Sequence, residues 1–379
     1  RLMFLSPIIF GAASIFSGIL QYFQRFLTYS LAPILYNLGI ICGIVLFSAH
    51  LGVTSAAIGV VLGALLYLAI QIPAAVRCGF RYQPIVRFNE PSLKQTIRLM
   101  VPRTVGVAAD QFYQLITTAV ASTLAVGSVA VFYLASSLES LPVSIIGISW
   151  ALAAFPLFSK YAADNDIDGL TKKFSSTFAQ ITFIILPLCF LIFALRNQIV
   201  LALYFHGQFA YNSAILCAAS LGIFCAGMYF DSIMPLIFRL FFALKDSLSP
   251  TISTIISVIV NIAFNFGLVA LLQQGGRLEI VLRRFFGLSE VNDISALGLA
   301  LAYSLATIVQ FAVLIYFLRR KNRHLVAFHL FGASFAKILV AGIIMFTAVA
   351  GAVWVMPAPS VWQTALIELA AGAIIGILV

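Results

Sequence analysis

Acidic residues inside long apolar segments are the side chains of this sequence that could do chemistry. Four of them stand in such segments: Asp110, Glu139, Asp231 and Glu368. An ionised carboxylate is costly in hydrocarbon, so each of these should face a protein interior or a water-filled cavity. There it could bind a coupling cation, either Na⁺ or H⁺, or it could hold an arginine in place. The pattern indicates a binding site rather than a catalytic one.

The histidines and cysteines show no spacing typical of a metal site or a catalytic centre. The four histidines fall near the ends of predicted helices, and the five cysteines lie mostly in apolar runs, where they serve as small buried residues. No glycine-rich phosphate loop follows a strand. We therefore expect a protein that is not an enzyme and has no cofactor, apart from a coupling cation or the membrane potential as the driving force.

The segment YLASSLESLPVSIIGISW, residues 133–150, contains Glu139 near its middle. One helical face there is formed by small residues spaced three, four and three apart, with Ser136 and Glu139 beside it: Ser137, Ser140, Ser144 and Gly147. The serines could line a cavity or could simply allow close helix packing. For Glu139 we favour a water-accessible cavity between two lobes, on the same side as Ser136 and Ser140. Pro142 predicts a kink.

Three further polar positions have two interpretations each. Arg103 follows Pro102 at the start of a predicted helix, where the helix dipole and the guanidinium both favour an anion. It could also be an interfacial residue whose charge extends to the membrane surface. Asp231 could bind a cation or form an interhelical hydrogen bond. Asn261 and Asn265 share one face of a helix, and we interpret them as packing contacts.

The composition places these residues in a membrane protein. The chain has 379 residues, of which 62% are hydrophobic and 9% are charged, whereas an ordinary soluble domain has about 25% charged residues. Helices are the expected element, because every backbone group in lipid must be satisfied within its own segment. An all-α, polytopic fold follows, with about eleven predicted spans: 3–23, 30–49, 53–75, 101–126, 129–158, 174–195, 213–240, 249–272, 294–318, 332–355 and 361–379.

Basic residues in the loops predict the orientation of these spans. Of the 22 lysines and arginines, 16 fall in loops on one side and 5 on the other, while Lys337 stands at a helix start. The richer side should be cytoplasmic. The basic residues are scattered over separate short loops, so nucleic acid is not an expected partner.

A short internal repeat suggests two similar lobes. RFLTYSLAPILYNLGII (25–41) and FALKDSLSPTISTIISV (242–258) share a Ser-Leu-x-Pro core. Each copy is predicted to open a span, and six spans separate the two copies, so both would point the same way. A parallel repeat of this kind is typical of transporters, although two helices that begin near a proline can also resemble each other by chance.

Five segments together resemble the MurJ (MviN) family of lipid II flippases. They are LESLPVSIIGISWALAAFPLFSKYAA, LQYFQRFLTYSLAPILYNLGII, LMVPRTVGVAADQ, LYFHGQFAYNSA and RLFFALKDSLSPTI. The resemblance runs over nearly the whole chain and is strongest from 98 to 260. Through it, Arg25 matches an Arg-Phe position of the family, and Gln111 completes a helix start of the form P-x-x-x-G-x-x-x-x-Q.

The resemblance implies a fourteen-helix protein of the multidrug/oligosaccharidyl-lipid/polysaccharide exporter superfamily, with two six-helix lobes and two extra helices. The predicted spans would be helices four to fourteen, so the chain would be an N-terminally truncated fragment. The implied domains are the remainder of an N-terminal lobe, a basic cytoplasmic linker or amphipathic segment, a C-terminal six-helix lobe, and a helix pair that forms a lipid-tail groove: 1–76, 77–100, 101–325 and 326–379.

The implied function is to move lipid II from the inner to the outer leaflet of the bacterial cytoplasmic membrane by alternating access. The implied partners are the lipid-linked glycan and membrane lipids, and a monomer is expected. The candidate substrate or ion cavity comprises Glu139, Ser136, Ser137, Ser140, Asp110, Gln111, Arg103, Arg25 and Asp231.

One departure from the family pattern concerns this candidate cavity. The family often carries Asp-Arg followed by Glu at the positions held here by Ser136, Ser137 and Ser140. The carboxylate stands instead at Glu139, and the arginine is missing. Other arginines of the family's cavity are expected in helices before Arg1.

Two other functions remain open. A cation-coupled exporter of small molecules, or a flippase for another polysaccharide lipid, would share the superfamily fold. A membrane scaffold without transport would not explain carboxylates in the middle of the membrane. The extra C-terminal helix pair favours the flippase.

Overall fold

The computed structural model describes residues 2–52, 54–80, 91–205, 210–321 and 333–355. These residues are helical and contain no strand, which confirms the all-α prediction. The helices are α1 Leu5–Tyr22, α2 Phe26–Leu51, α3 Thr54–Arg77, α4 Pro91–Ser122, α5 Ser128–Pro142, α6 Ser149–Ala163, α7 Ile167–Tyr204, α8 Tyr211–Ala243, α9 Leu248–Gln273, α10 Arg277–Phe286, α11 Ala296–Lys321 and α12 Ala333–Val355.

Eight of the described helical segments are long and apolar enough to cross a membrane. One of them, Ser128–Ala163, contains both α5 and α6 and corresponds to the single predicted span 129–158. The helix α4, which contains the predicted span 101–126, is not among the eight. Besides the basic residues of its first turns it carries Asp110, Gln111 and Gln114 in its middle, which lower its hydropathy. The last predicted span, 361–379, lies outside the described residues.

Several helices extend beyond the apolar runs that predicted them. The helix α7 covers 38 residues, whereas its predicted span was 174–195. Asp166 accepts a hydrogen bond from the Gly169 amide at 2.8 Å and so caps its first turn. The span was too short because charged residues end an apolar run without ending a helix. Residues 91–100, in the second half of the predicted linker or amphipathic segment, are helical and form the start of α4.

Pro142 is followed by a π-helical turn, Val143–Ile148, rather than by a break. Proline lacks an amide hydrogen and clashes with the preceding turn, so the backbone has to rearrange there. A π-helical turn is one way to absorb the change without ending the helix. The predicted kink site therefore coincides with a π-helical turn inside one continuous helical span.

The chain divides into two compact units, residues 1–88 (unit 1) and 89–379 (unit 2). In unit 1, α2 and α3 pack through glycines spaced four apart on each helix: Gly39 and Gly43 against Gly59 and Gly63. A Cβ atom on Gly59 would lie 2.8 Å from the Ile40 carbonyl oxygen, and one on Gly43 would collide with the Gly59 backbone. Small residues at this spacing let membrane helices approach backbone to backbone.

In unit 2, α8 is the central helix and packs against α5, α6, α7 and α11. Large side chains along it, including Phe224, Met228 and Ile233, are fully buried. These residues belong to two apolar clusters, one around Phe224 and one around Met228. Asp231, Met234 and Pro235 of α8 line a cavity together with residues of α4, α9 and α11.

The Ser-Leu-x-Pro repeat occupies different places in its two helices. Pro250 is the third residue of α9, as expected for a motif that opens a helix, but Pro33 lies inside α2, seven residues after Phe26. The first copy, 25–41, nevertheless begins at Arg25, the residue before α2, so both copies lie at the start of a helix as predicted. Both helices follow a turn with one residue in the left-handed conformation, Gln24 with φ 55° and Lys245 with φ 56°. The relation of the two lobes remains a prediction.

Candidate polar cavity in unit 2

Unit 2 contains a cavity of about 510 Å³ between α4, α8, α9, α11 and the π-helical turn. Its polar lining includes Arg103, Asp110, Tyr113, Asp231, Tyr303 and Gln310. Arg103 and Asp110 are exposed, and the other four are half-buried. The cavity therefore has two exposed charged positions on α4, seven residues apart, and a less accessible interior.

Asp231 is the carboxyl group at the inner side of this cavity. The Tyr303 hydroxyl of α11 donates a hydrogen bond to Asp231 Oδ2 at 2.9 Å. The ring of Tyr303 lies 6.2 Å from that of Tyr113 on α4 and 5.4 Å from that of Phe224 on α8. The Asp231 carboxyl group thus links α8 to α11 through a hydrogen bond. The tyrosine that donates this bond packs against aromatic rings of α4 and α8.

Glu139 lies behind Asp231 and does not line the cavity. Its residue is 2% exposed, its carboxyl group interacts directly with that of Asp231, and its Oε1 atom has no hydrogen-bond partner among the described residues. We expected Glu139 on one side with Ser136 and Ser140. The structure does not place Glu139 on the exposed side of Ser140, while Ser136, three residues before Glu139, is half-buried. Neighbouring helix positions differ by about 100° in direction, so Glu139 faces α8 while Ser140 does not. A cavity between the two lobes remains a prediction.

A close helix contact accounts for the proximity of the two carboxyl groups. Gly147, in the π-helical turn, lies against the Ser232 backbone, where an added Cβ would be 2.9 Å from the Ser232 Cα atom. Ser232 follows Asp231 in the chain. The missing side chain at Gly147 thus lets the α5–α6 span approach α8 beside Asp231. The small-residue face predicted there serves packing at Gly147.

The exposed side of the cavity carries Arg103. Its guanidinium carbon lies 5.2 Å from the centre of the Phe242 ring, a distance suited to a cation–π contact. The preceding residue, Pro102, has a carbonyl oxygen that accepts a hydrogen bond from Thr251 Oγ1 at 2.9 Å, which ties α4 to the start of α9. Arg103 is held at the edge of the cavity and remains open to solvent.

Amides and hydroxyls connect the cavity walls. Asn265 donates to Thr117 Oγ1 at 3.0 Å and to Asn261 Oδ1 at 2.8 Å, as expected for a packing contact between helices. Gln310 donates to Thr254 Oγ1 at 3.1 Å. These bonds link α4 to α9 and α9 to α11.

The candidate residues fall into three groups. Arg103, Asp110 and Asp231 come together around the cavity, and Glu139 reaches it only through Asp231. Ser137 and Ser140 are exposed and donate to backbone oxygens of their own helix, and neither they, Ser136 nor Gln111 line the cavity. Arg25 is exposed at the start of α2 in unit 1.

Three polar residues of the cavity lining were not predicted from the sequence: Tyr113, Tyr303 and Gln310. On α11, polar residues recur at 303, 307 and 310, which is a helical face inside a predicted span. That spacing predicts that α11 forms one wall of a polar cavity. Tyr113 lies three residues after Asp110, on the same face of α4.

The cytoplasmic turn between α8 and α9, on the predicted orientation, holds an ion pair. Lys321 Nζ lies 2.7 Å from Asp246 Oδ2, and the Ser249 amide and hydroxyl donate to the same carboxylate at 3.0 and 2.9 Å. Burial alone would raise the pKa of Asp246, but the hydrogen bonds from Lys321 and Ser249 outweigh it and lower that pKa. The described residues contain no group of three or more His, Cys, Asp or Glu side chains that could hold a metal ion.

Comparisons with known proteins agree on one family. The model of the family "Lipid II flippase MurJ" matches residues 1–372. Among curated relatives, the probable lipid II flippase MurJ of Borreliella burgdorferi is 29% identical over 225 residues, which are 59% of this chain and 44% of the relative. The lipid II flippase MurJ of Burkholderia cenocepacia is 24% identical over 238 residues, 60% of this chain and 45% of the relative.

A solved structure of a lipid II flippase MurJ in an inward closed conformation matches 98% of this chain and 71% of its own length, with a TM-score of 0.67 and 21% identity. This likeness confirms the fold. The curated matches each span under half of the relatives' length. With eight helices suited to cross a membrane in the described part of the chain, this is a multi-pass protein of the bacterial inner membrane, and it belongs to the MurJ family of lipid II flippases.

Proposed function

We propose that this protein moves lipid II, a lipid-linked peptidoglycan precursor, from the inner to the outer leaflet of the cytoplasmic membrane by alternating access. The observation that carries the proposal is the family match over residues 1–372. We further propose that it acts as a monomer on this lipid and makes or breaks no bond in it. Nucleic acid has no part in the function.

The unit 2 cavity supports this function because it separates two kinds of charge. A lipid-linked precursor has an anionic diphosphate, which needs a cation outside the apolar phase. Arg103 is exposed at the cavity edge, while Asp110 lies seven residues further along α4, about 10 Å away at the rise of an α-helix. The diphosphate would be attracted at Arg103 and repelled by the carboxylates further in.

The same carboxylates support a coupling cation, for which Na⁺ and H⁺ both remain candidates beside the membrane potential. An exporter of small molecules would use such a cation too, and the acidic interior is the observation that favours this second function. The substrate distinguishes the two. An exporter would change the resistance of cells to cationic compounds and leave the precursor in the inner leaflet.

The test is a transport measurement in cells depleted of their own flippase. The fraction of precursor that a membrane-impermeant reagent can reach reports on the outer leaflet. We expect the protein to restore this fraction, and Arg103→Ala to lower the rate roughly tenfold, equal to about 1.4 kcal/mol. Arg98→Ala is the matched control, since Arg98 is an exposed arginine of the same helix that does not line the cavity.

Two outcomes would contradict the proposal. If the protein does not restore outer-leaflet precursor, lipid II is not its substrate. If Arg103→Ala and Arg98→Ala have equal effects at equal membrane abundance, the unit 2 cavity does not bind the diphosphate.

A further inference from the structure

We propose that Glu139 and Asp231 form a proton-binding site, in which one proton is held between the two carboxyl groups and is exchanged with the cavity during transport. This inference deepens the proposed function and rests on it for the coupling to transport. The binding of the proton itself can be measured without any substrate.

The first argument is the position of Glu139. The residue is 2% exposed, and its Oε1 atom has no hydrogen-bond partner among the described residues. Its carboxyl group is close enough to that of Asp231 for a direct interaction. Two carboxylates this close in an apolar interior repel each other strongly, and one shared proton removes the repulsion.

No basic side chain is among the groups that act directly on the pair, although Arg103 lines the same cavity as Asp231 and Arg196 of α7 faces Cys225. The titratable side chains that face Glu139 and Asp231 come from four helices: Asp110 and Tyr113 of α4, Cys189 of α7, Cys225 of α8 and Tyr303 of α11. Each of these is either neutral or negatively charged. A proton is the cation that can neutralise the pair from within.

The surroundings favour a proton over a metal ion. Hard cations need several oxygen ligands at once. The thiols of Cys189 and Cys225 lie near Glu139, and both residues are buried. The described residues contain no cluster of ligands that could hold a metal. A proton needs one acceptor oxygen and a second to share it, which the two carboxyl groups provide.

The cavity offers a route for the proton. Asp110 is exposed on the cavity wall, Asp231 lines its inner side, and Glu139 lies behind Asp231. A proton from solvent can therefore pass by way of Asp110 and Asp231 to Glu139. Uptake leaves one negative charge on the pair, and release to solvent restores two. Tyr303 donates to Asp231 Oδ2 in this structure, which keeps that oxygen an acceptor.

The contact between the α5–α6 span and α8 links proton binding to a change in the distance between these helices. With one proton, the α5–α6 span can lie against α8, as it does at Gly147 and Ser232. Without the proton, two negative charges face each other across the same contact and push the helices apart. The π-helical turn at Val143–Ile148 lies between Glu139 and the end of the span, and such turns accommodate local rearrangement.

The test is infrared difference spectroscopy on the purified protein in lipid nanodiscs, which detects the C=O stretch of a protonated carboxyl group. We expect the wild type to show such a band at neutral pH, Glu139→Gln to remove it, and Asp231→Asn to shift it, because the proton then stays on the buried Glu139 carboxyl group alone. Glu290→Gln is the matched control, because Glu290 is an exposed glutamate outside the cavity. Thermal melting of each variant shows whether it is folded, and either folded variant suffices for the test.

Several results would overturn the proposal. These are a wild-type spectrum without the band, a band that Glu139→Gln does not remove, a band that Asp231→Asn does not shift, or a band that NaCl removes and KCl does not, which would make Na⁺ the ligand. Transport is scored separately. If the wild type shows the band but does not flip lipid II, the proposed function fails and the proton site stands. If it flips lipid II without the band, the proton site fails alone.

Discussion

Two helix contacts, one in each unit, solve the same problem in opposite ways. In unit 1, α2 and α3 meet through glycines, with backbone against backbone at Gly39 and Gly63. In unit 2, α4 and α9 meet through a hydrogen bond from Asn265 to Thr117, beside a polar cavity. Lipid tails give no hydrophobic drive for helices to associate, so close packing and polar bonds are the available means. The glycine contact between α2 and α3 holds two helices together without any polar group. The polar contact between α4 and α9, by contrast, adjoins the charged residues that we assign to transport.

The largest effect should come from filling the glycine contact. Gly43→Leu would force its side chain into the Gly59 backbone, which cannot move as a flexible side chain could. We expect a loss of about 3 kcal/mol or more in folding stability, at or above the usual cost of overpacking, and a strong drop in membrane abundance. Gly18→Leu on α1 is the control, because an added Cβ there meets no atom within 4 Å. Equal abundance of the two variants would show that the α2–α3 contact does not support unit 1.

The polar contact of unit 2 should be less sensitive. Asn265→Ala removes the bonds to Thr117 and Asn261, and hydrogen bonds between membrane helices contribute about 0.6 to 2 kcal/mol. Asn37→Ala is the control in unit 1, since Asn37 is exposed and donates only to Pro33 of its own helix among the described bonds. Thermal unfolding in lipid should separate the two variants, and equal melting temperatures would remove the contrast between the contacts.

The smallest expected effect is at the ion pair outside the membrane. Asp246→Asn weakens the bonds to Lys321 and Ser249 and should cost about 0.5–1 kcal/mol at pH 7. Because the pKa of Asp246 is lowered in the folded protein, its contribution is present above the unfolded pKa of about 3.9 and is lost as pH falls through the folded value. The stability difference from wild type should therefore shrink below about pH 4. A stability difference from wild type that is constant with pH would contradict the assignment.

The sequence alone predicted the elements of the fold better than the arrangement of the site. Apolar runs between charges located the described spans because lipid requires such runs, but charged ends such as those of α7 extend beyond them. Asp110, Asp231 and Arg103 could be identified because charge in a span is rare. The side of the helix on which Glu139 lies could not be predicted. The serines around it form a regular face, and the contact of Gly147 with α8 shows which side is buried. Tyr303 was missed because tyrosines are common in apolar helices. Only the hydrogen bond from its hydroxyl to Asp231 distinguishes it, and that bond is visible only in the structure.

The most direct test of the central claim, that the buried acidic pair of unit 2 works in transport, is the flipping rate of Glu139→Gln. The substitution is nearly isosteric, so membrane abundance and melting temperature should match the wild type, while the rate of lipid II movement should fall roughly tenfold or more, equal to at least about 1.4 kcal/mol. Glu139→Asp should have a milder effect, and Glu290→Gln, at an exposed glutamate, should have none. If Glu139→Gln flips lipid II as fast as the wild type at equal abundance, the charge at Glu139 has no role in transport and the residue serves packing alone.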